Sequence, residues 1–384
     1  MVVKIPQRRK VSSRGNVYAM LPYLFFFANL LRIMRGQTGI YLAVLTVVGI
    51  FGFMKLFMQH ETKGRLLFCV VTVLMCAGTL MNALVTNNIS IRDVFQGMLL
   101  LGVTVWLLLY PPSKKQAMLC FYVVALIFAY HWLIGTHPSH VLSSSCNYIS
   151  VILLLFISLY YADIDVGSMN GFAFLPAVAC FFLSVWGRGR SGILASGVLL
   201  IGLIFLKLTA VNKKTKRVLL AVVFLLVGAI AYLLIDDNAF NSLSWMLGSF
   251  QTEGFEDSAR ILLWYEYLAA TFGSLRNFLF GTSLQDMPLI VQFNSNPHNS
   301  FIYLQIAYGL TGTVTFFVFF VRSIIFYIKQ HKYTSLLVLL TLSLRAFTDK
   351  FVVLQYGMPV MMYLVLMPFV YRRKGTYKVL KHSR

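Results

Sequence analysis

Residues 296–299, with the sequence NPHN, contain the side chain of this chain that is best suited to proton transfer. Histidine changes charge near neutral pH, so His298 can act as a general base that takes a proton from a hydroxyl group. A helix continuing from it would carry a polar stripe. The members of that stripe are His298, Ile302, Gln305, Gly309 and Gly312. The stripe predicts a cavity or a close helix contact, and the alternative is a structural histidine that caps or bridges helices.

Two arginines separated by one glycine precede an apolar run at 188–192, where the sequence is RGRSG. The N-terminus of a helix offers unpaired N–H groups and partial positive charge to an anion. Arg188 and Arg190 would add two charged forks, each of which can bind phosphate through paired hydrogen bonds. We therefore expect an anion site here, and the alternative is a merely basic turn.

A third candidate lies at 256–264, with the sequence EDSARILLW. Asp257 or Ser258 can cap a helix whose first turn contains Arg260, and Trp264 follows one turn later on the same face. The apolar face of that helix predicts that it lies along a membrane surface. Its members are Ile261, Leu262, Trp264, Tyr265 and Leu268. Arg260 is a candidate anion ligand, unless it only pairs with a neighbouring acidic residue.

A lesser cluster, Arg345 with Asp349 and Lys350, follows an apolar run near the C-terminus. Arg345 is a further candidate for binding an anion. Because Arg345 and Asp349 are one helical turn apart, they can instead neutralise each other.

These candidates sit in a chain that is almost entirely apolar. Of its 384 residues, 59% are hydrophobic and 12% are charged, whereas soluble domains carry about 25% charged residues. Recurring apolar runs predict an all-α polytopic membrane protein that forms a single membrane domain over residues 1–384. Twelve spans are expected, at 17–33, 40–57, 66–85, 94–110, 118–134, 148–161, 170–185, 192–208, 218–235, 299–321, 334–347 and 351–371. Between the ninth and tenth spans we expect one large loop at 236–298 that contains short helices.

Positive charge orients the predicted spans. An even number of spans puts both termini on one side, and that side receives nearly all the lysines, which marks it as cytoplasmic. The outer side uses arginine instead, and Lys350 is its one lysine. Arginines placed against the trend predict a bound anion at the outer membrane–water boundary. For Arg32, Arg35 and Arg92, tolerated charge near a span end is the simpler explanation.

No metal or cofactor site is predicted. His137 and His140 share a loop, but no carboxylate or cysteine ligand set stands near them. The chain has no GxxxxGK[ST] loop, so ATP use is not expected. The net charge of +21 is explained by the cytoplasmic lysines and arginines and does not indicate nucleic acid.

Three of these segments, in this order along the chain, resemble those of the O-antigen polymerase and O-antigen ligase superfamily. Its members are lipid-linked glycan transferases of bacterial inner membranes. The segments are Arg188 to Gly192, Ser258-Ala259-Arg260 with Trp264, and His298-Asn299 followed by Gly309 to Gly312. The Gly-x-Gly typical of the family before the histidine is reduced here to residues 281–283, GTS. The matching segments cover roughly a third of the chain.

The resemblance implies a donor glycan carried on undecaprenyl diphosphate. Its diphosphate ligands would be Arg188, Arg190, Arg260 and Arg345. Arg260 would also be catalytic, because a positioned cation stabilises a leaving group. His298 would be the base beside the acceptor hydroxyl, and direct displacement would invert the anomeric carbon. The acceptor cavity would be lined by Trp264, Asn299 and Gln305, and no metal, nucleotide or other cofactor would be needed.

Within the family we favour a polymerase, whose acceptor is a lipid-linked repeat unit, because the Arg-Ser-Gly start of the eighth span is more typical of polymerases. A ligase would transfer the glycan to lipid A–core instead. Expected partners are the lipid-linked substrates, membrane lipid and a chain-length regulator protein, with no nucleic acid. The expected location is the bacterial inner membrane, with the active site facing the periplasm.

A lipid-linked oligosaccharide flippase or another transporter is the alternative from a different class. A transporter is expected to bind near the membrane midplane between internal repeats, and no repeat is evident here. The transferase hypothesis makes one spatial prediction. Arg188 or Arg190, Arg260 and His298 should line one cavity on the periplasmic side.

Overall fold

The structure, a computed structural model, describes residues 18–58, 62–143, 145–210, 258–293 and 295–371. The expected span at 218–235 and the acidic residues Glu256 and Asp257 lie outside the described residues. Within those ranges all regular structure is helical. The α-helices are α1 (Leu21–Arg35), α2 (Thr38–Phe57), α3 (Thr62–Val85), α4 (Ile91–Leu109), α5 (Lys114–Leu133), α6 (Tyr148–Tyr161), α7 (Leu175–Trp186), α8 (Arg190–Ala210), α9 (Ser258–Phe272), α10 (Leu275–Phe280), α11 (Pro288–Gln292), α12 (Ser300–Lys329), α13 (Tyr333–Phe347) and α14 (Met358–Tyr371). Short 3-10 helices lie at Pro138–His140, Val166–Ser168, Gly171–Phe174 and Leu284–Asp286.

Six of these helices are long and apolar enough to cross a membrane. They are α2, α3 from Arg65 onward, α4, α5, α8 and α12, with lengths from 19 to 30 residues. Four further apolar helices are shorter: α6, α7 with the 3-10 turn before it, α13 and α14. The fold is therefore that of an all-α membrane protein, as the apolar runs predicted.

Local sequence signals explain where two of the long helices begin. At the start of α4 the Ser90 hydroxyl accepts a bond from the Asp93 N–H, and the Asp93 carboxylate accepts the Ser90 N–H in return. At the start of α5, Ser113 and Gln116 form the same reciprocal pair. Each pair satisfies two backbone donors that a helix N-terminus would otherwise leave unpaired.

Two helices form the centre of the bundle. In α6 every side chain from Ile149 to Tyr161 is buried, and α14 is buried from Met358 to Pro368. A helix that is apolar on all sides is expected to be surrounded by other helices. Close packing elsewhere depends on small residues, as is common between membrane helices. For example, α2 and α4 cross where a Cβ on Gly52 would collide with the backbone of Gly102.

The last predicted span begins later than expected. The sequence predicted a span from 351, whereas α14 begins at Met358 and residues 351–357 form a loop. The loop is stable without helical bonds because side chains satisfy its backbone. The Ser300 hydroxyl accepts the N–H groups of Phe351 and Val352, and the Gln96 amide donates to the carbonyl of Leu354.

The tenth predicted span is longer than expected and kinked. It was predicted at 299–321, but α12 extends to Lys329. Gly309 interrupts it with φ 59° and ψ −165°, a left-handed conformation that costs glycine little. A Cβ at this position would also lie 2.6 Å from the carbonyl oxygen of Leu279 in α10. The kink therefore lets α10 pack against the middle of α12.

The helix ends that carry Arg32, Arg188, Asn299 and Arg345 lie at the same end of the bundle, which we call the arginine end. There, Ser143 donates from its N–H and its hydroxyl to the Ile33 carbonyl at 2.8 and 2.6 Å. The contacts that connect the other three arginine-end residues define the candidate site below.

Candidate functional site

The indole of Trp264 joins α9 to the turn that carries His298. Its Nε1–H donates to the carbonyl oxygen of Pro297 at 3.2 Å. Its ring meets the ring of Phe347 edge to face, with centroids 5.1 Å apart. Arg260, half-buried, lies one turn earlier in α9. The contact therefore brings the helix that carries Arg260 against the backbone next to His298.

Helix α9 has a wide apolar exposed face. Leu263 and Tyr267 are buried and Trp264 is half-buried, so these three side chains face the bundle. The exposed apolar residues are Ile261, Leu262, Tyr265, Leu268 and Phe272. An exposed apolar face on a short helix fits a position along a membrane surface. The predicted face differs in one member, because Trp264 points toward the bundle rather than away from it.

The prediction that His298 belongs to the helical stripe is wrong, whereas Gln305, Gly309 and Gly312 of that stripe are buried in α12. Helix α12 begins at Ser300, and Asn299 is its N-cap, whose side chain accepts the N–H groups of Phe301 and Ile302 at 2.9 and 3.2 Å. His298 precedes this cap with φ 49°, and its own N–H donates to the Asn296 side chain at 2.9 Å. His298 is therefore held in a turn before the helix, half-buried, with its ring 6.5 Å from that of Phe293.

Gln305 connects α12 to α10 and to the segment 281–283 through four hydrogen bonds. Its amide donates to the carbonyls of Asn277 and Phe278 in α10, at 2.8 and 3.2 Å. Its carbonyl accepts the hydroxyl of Thr282 at 2.9 Å and the Thr282 N–H at 3.4 Å. Buried polar groups in membrane proteins require such partners. Gln305 therefore fixes α10 and the segment 281–283 against α12.

An apolar cavity of about 400 Å³ lies between α9 and α12. Trp264 and Phe347 line one part of it, and Asn299 and Gln305 contribute to the wall formed by α12. The remaining lining side chains are mostly apolar. Trp264, Asn299 and Gln305, the three residues expected to line a cavity, thus all line this one while also bonding to the backbone. The shape and the lining suit an apolar chain or a sugar that stacks on an aromatic ring.

Arg345 is buried, with 1% of its surface exposed, and is already paired. Its guanidinium bonds to the Asp349 carboxylate at 3.0 Å and the Thr348 hydroxyl at 3.2 Å, and lies 3.5 Å from the carbonyl of Asn147. The pairing with Asp349 that the sequence offered as an alternative is therefore present. This geometry favours a positioning role for Arg345 over direct contact with a substrate phosphate.

The Arg188–Arg190 turn lies near the same carbonyl. Gly189 packs directly on Asn147, because a Cβ there would lie 2.7 Å from the Asn147 side chain. Arg188 has φ 57°. Arg190 is the first residue of α8, so the helix begins two residues before the start predicted at 192, and only Arg188 precedes it. Arg188 also acts on His137: burial, Arg188 and His140 all lower the pKa of His137.

Ser300 connects this cluster to the His298 turn. Its hydroxyl donates to the carbonyl oxygen of Asp349 at 2.6 Å, and Asp349 holds Arg345. A continuous path of contacts thus runs from the Arg188–Arg190 turn through Asn147, Arg345, Asp349 and Ser300 to the backbone beside His298. The final step is the Pro297 carbonyl, which accepts Trp264. The candidate segments are therefore connected through one chain of contacts, most of it buried. A common cavity for Arg188, Arg260 and His298 stays a prediction.

Lys350 is a further cation beside the His298 turn. Its Nζ lies 3.6 Å from the ring centroid of Tyr303 and 3.4 Å from the carbonyl oxygen of Ser295. Burial lowers the pKa of Lys350 to about 8, although Asp93 and Asp349 act in the opposite direction. Its charge is therefore sensitive to pH just above neutrality.

Sequence reasoning missed three asparagines that hold the loop. Asn82 donates to the carbonyls of Phe280 and Ile306, and Asn88 bonds to the backbone of Thr282 and Leu284. Asn277 donates to the carboxylate of Asp286 at 2.7 Å. The available signal was Asn82, a buried amide inside an otherwise apolar run, since such residues in membrane helices usually have a specific partner.

Comparison with known proteins adds no assignment, since no protein-family model and no curated protein matches this chain.

Proposed function

We propose that this chain is a glycosyltransferase that uses a polyprenyl-diphosphate-linked donor, of the O-antigen polymerase type. In this proposal it transfers a glycan from undecaprenyl diphosphate to a sugar hydroxyl of a lipid-linked repeat unit. The reaction inverts the anomeric carbon and uses no metal or cofactor. The proposal applies equally to a related surface polysaccharide.

The observation that carries the proposal is the hydrogen bond from Trp264 to Pro297. It joins the helix of a candidate phosphate ligand, Arg260, to the turn of a candidate base, His298. The same indole lines the apolar cavity of about 400 Å³. A transferase of this kind needs these three features together: a cation, a base and an apolar recess beside the membrane surface.

The proposed chemistry is one displacement. Histidine at 298 takes the proton of the acceptor hydroxyl while the oxygen attacks the anomeric carbon of the donor sugar. The bond from that carbon to the diphosphate oxygen breaks, and undecaprenyl diphosphate leaves with the electron pair. Arg188, Arg190 and Arg260 stabilise the developing charge. Arg345 helps to position the Arg188–Arg190 turn through Asn147, which both contact. The energy is stored in the lipid–diphosphate linkage, so no nucleotide takes part.

The proposal includes an orientation in the membrane. Twelve spans cross the bacterial inner membrane, both termini are cytoplasmic, and the arginine end faces the periplasm. The concentration of lysine on the opposite side supports this orientation. Expected partners are the two lipid-linked glycans and a chain-length regulator protein.

The test uses purified chain in lipid vesicles with a lipid-linked repeat unit, in the presence of EDTA. A ladder of longer glycans still attached to undecaprenyl diphosphate is the expected product. Adding lipid A–core distinguishes the ligase, which would move glycan to that acceptor and leave the repeat unit unextended. Movement of the repeat unit across the membrane without any new glycosidic bond would instead establish a transporter and overturn the proposal.

A further inference from the structure

Arg32 has an unusual environment at the arginine end. Its guanidinium carbon lies 4.3 Å from the ring centroid of Tyr41 and 6.0 Å from that of Tyr356. The Arg32 side chain makes no hydrogen bond and no ion pair with any described residue, so these two ring contacts are its close contacts in that part of the chain. The side chain is half-buried, so it can be reached from outside.

Three buried donors at the arginine end lack hydrogen-bond partners as well. The hydroxyls of Tyr41 and Tyr356 and the Nε of Arg345 have no hydrogen-bond partner in the described part of the chain. Their residues are 1%, 3% and 1% exposed. Buried polar groups are normally paired, so several unpaired groups in one place require an explanation.

Both arginines act electrostatically on the hydroxyl of Tyr356. Burial raises the pKa of Tyr356 well above its usual value, Tyr148 and Asp349 raise it further, and Arg345 and Arg32 lower it. Tyr356 thus stays protonated and can donate. The neighbouring carboxylate, Asp349, already accepts from Arg345 and from the N–H of Lys350. The cluster therefore combines unpaired donors, the charge of Arg32 without a counter-ion among the described residues, and a carboxylate whose two oxygens each already accept a bond.

Donors without an acceptor form a site for an oxyanion, because guanidinium groups only donate and phosphate only accepts when ionised. We propose that Arg32, with the hydroxyls of Tyr41 and Tyr356, binds the phosphate of a membrane lipid at the arginine end. The site lies on α1, α2 and the 351–357 loop, apart from α9 and the Trp264 contact. It does not depend on the proposed glycan transfer.

The test measures lipid binding to purified, delipidated full-length chain by native mass spectrometry. The probes are phosphatidylglycerol, undecaprenyl phosphate, and diacylglycerol, which has no phosphate. We expect the first or second to bind and diacylglycerol not to bind. Replacing Arg32 by glutamine should lower phosphate-lipid affinity by about tenfold to a hundredfold, the usual loss for a charge-assisted hydrogen bond. Arg35→Gln, on the same helix with the same loss of charge, is the control and should stay within about twofold.

A second variant distinguishes loss of the lipid site from loss of the fold. Tyr356→Phe removes one hydroxyl and preserves the ring. If that hydroxyl binds the lipid, affinity falls by about twofold to tenfold, while the lipid-free melting temperature is unchanged or higher, since an unpaired buried hydroxyl is removed. Undecaprenyl phosphate binding more than ten times tighter than phosphatidylglycerol would identify a lipid-linked intermediate as the source, and comparable binding would identify the phospholipid headgroup. Equal losses for Arg32→Gln and Arg35→Gln, or equal binding of diacylglycerol, would overturn the site.

Discussion

Replacing Trp264 by phenylalanine is the most specific perturbation of the candidate site. The change removes the 3.2 Å hydrogen bond to the Pro297 carbonyl and keeps an aromatic ring against Phe347. In the proposed site this bond holds the helix of Arg260 against the turn of His298. Loss of the bond should therefore lower glycan transfer without preventing folding.

The size of the effect follows from the contacts. A neutral hydrogen bond contributes about 0.5–1.5 kcal/mol, which corresponds to a loss of about twofold to tenfold in kcat/KM. Trp264→Ala also loses the edge-to-face contact with Phe347, worth about another 0.5–1.5 kcal/mol. For that variant we expect a loss of about fivefold to 150-fold, before any cost of the larger cavity.

The assay is chain extension of a lipid-linked repeat unit by purified protein in vesicles, with kcat and KM measured separately. Tyr265→Leu is the matched control, because Tyr265 is the next residue in α9 and is 67% exposed. It should keep wild-type kcat/KM within about twofold. The reasoning is refuted if Trp264→Ala extends glycans as well as Tyr265→Leu while both variants remain folded.

Three further predictions concern polar side chains. Gln305→Leu breaks four hydrogen bonds and should lower the free energy of unfolding by about 3 kcal/mol or more, measured as a lower melting temperature. Gln285→Leu, at an exposed position, should leave the melting temperature unchanged. Equal melting temperatures for the two variants would contradict the role of Gln305. In the folded chain the pKa of Lys350 is about 8, below its ordinary 10.5. Between these two pH values the unfolded chain holds a proton that the folded chain has lost. The free energy of unfolding therefore rises with pH across that range, by at most about 3 kcal/mol. Lys350→Met should abolish that rise in denaturation curves, and a rise that persists would exclude Lys350 as its source. Arg188→Gln should raise the pKa of His137 measured by NMR, because Arg188 lowers it; an unchanged pKa would show that the two are not neighbours.

The sequence alone predicted the features that depend on a few neighbouring residues, namely the positions of the helices and where two of them begin. Apolar runs predicted most of the helices, and the start of α8 was predicted to within two residues. The segment at 256–264 predicted a helix capped by Asp257 or Ser258, and α9 begins at Ser258. These properties follow from hydrophobicity and capping, which act over a few residues.

The position of His298 could not be read from helical periodicity. The structure places it before the helix because the side chain of Asn299 takes the first free N–H groups of α12. Asparagine can either cap a helix or continue a polar stripe, and only the surrounding backbone decides between them. Gln305 lines the cavity between α9 and α12, but its bonds to Asn277 and Thr282 could not be predicted, because they depend on where α10 packs.

The path from Arg188 to His298 depends on tertiary contacts between distant residues. Asn147 lies far from both in sequence, and no local pattern singled it out. Gly189 and Arg345 meet at Asn147 because α6, α8 and α13 pack together at the arginine end. Such meeting points require the assembled bundle, since the chain separations involved carry no periodic signal.

The central claim is that His298 takes the proton of the acceptor hydroxyl, and replacing it by glutamine tests the claim most directly. Single-turnover extension of a lipid-linked repeat unit should be slowed by about a hundredfold to ten-thousandfold in His298→Gln, the usual contribution of a general base. Exposed His331→Gln is the control, because this residue bonds to Tyr333 at the far end of α12. The account predicts loss of transfer with donor binding retained in His298→Gln, and turnover at the rate of His331→Gln would contradict it.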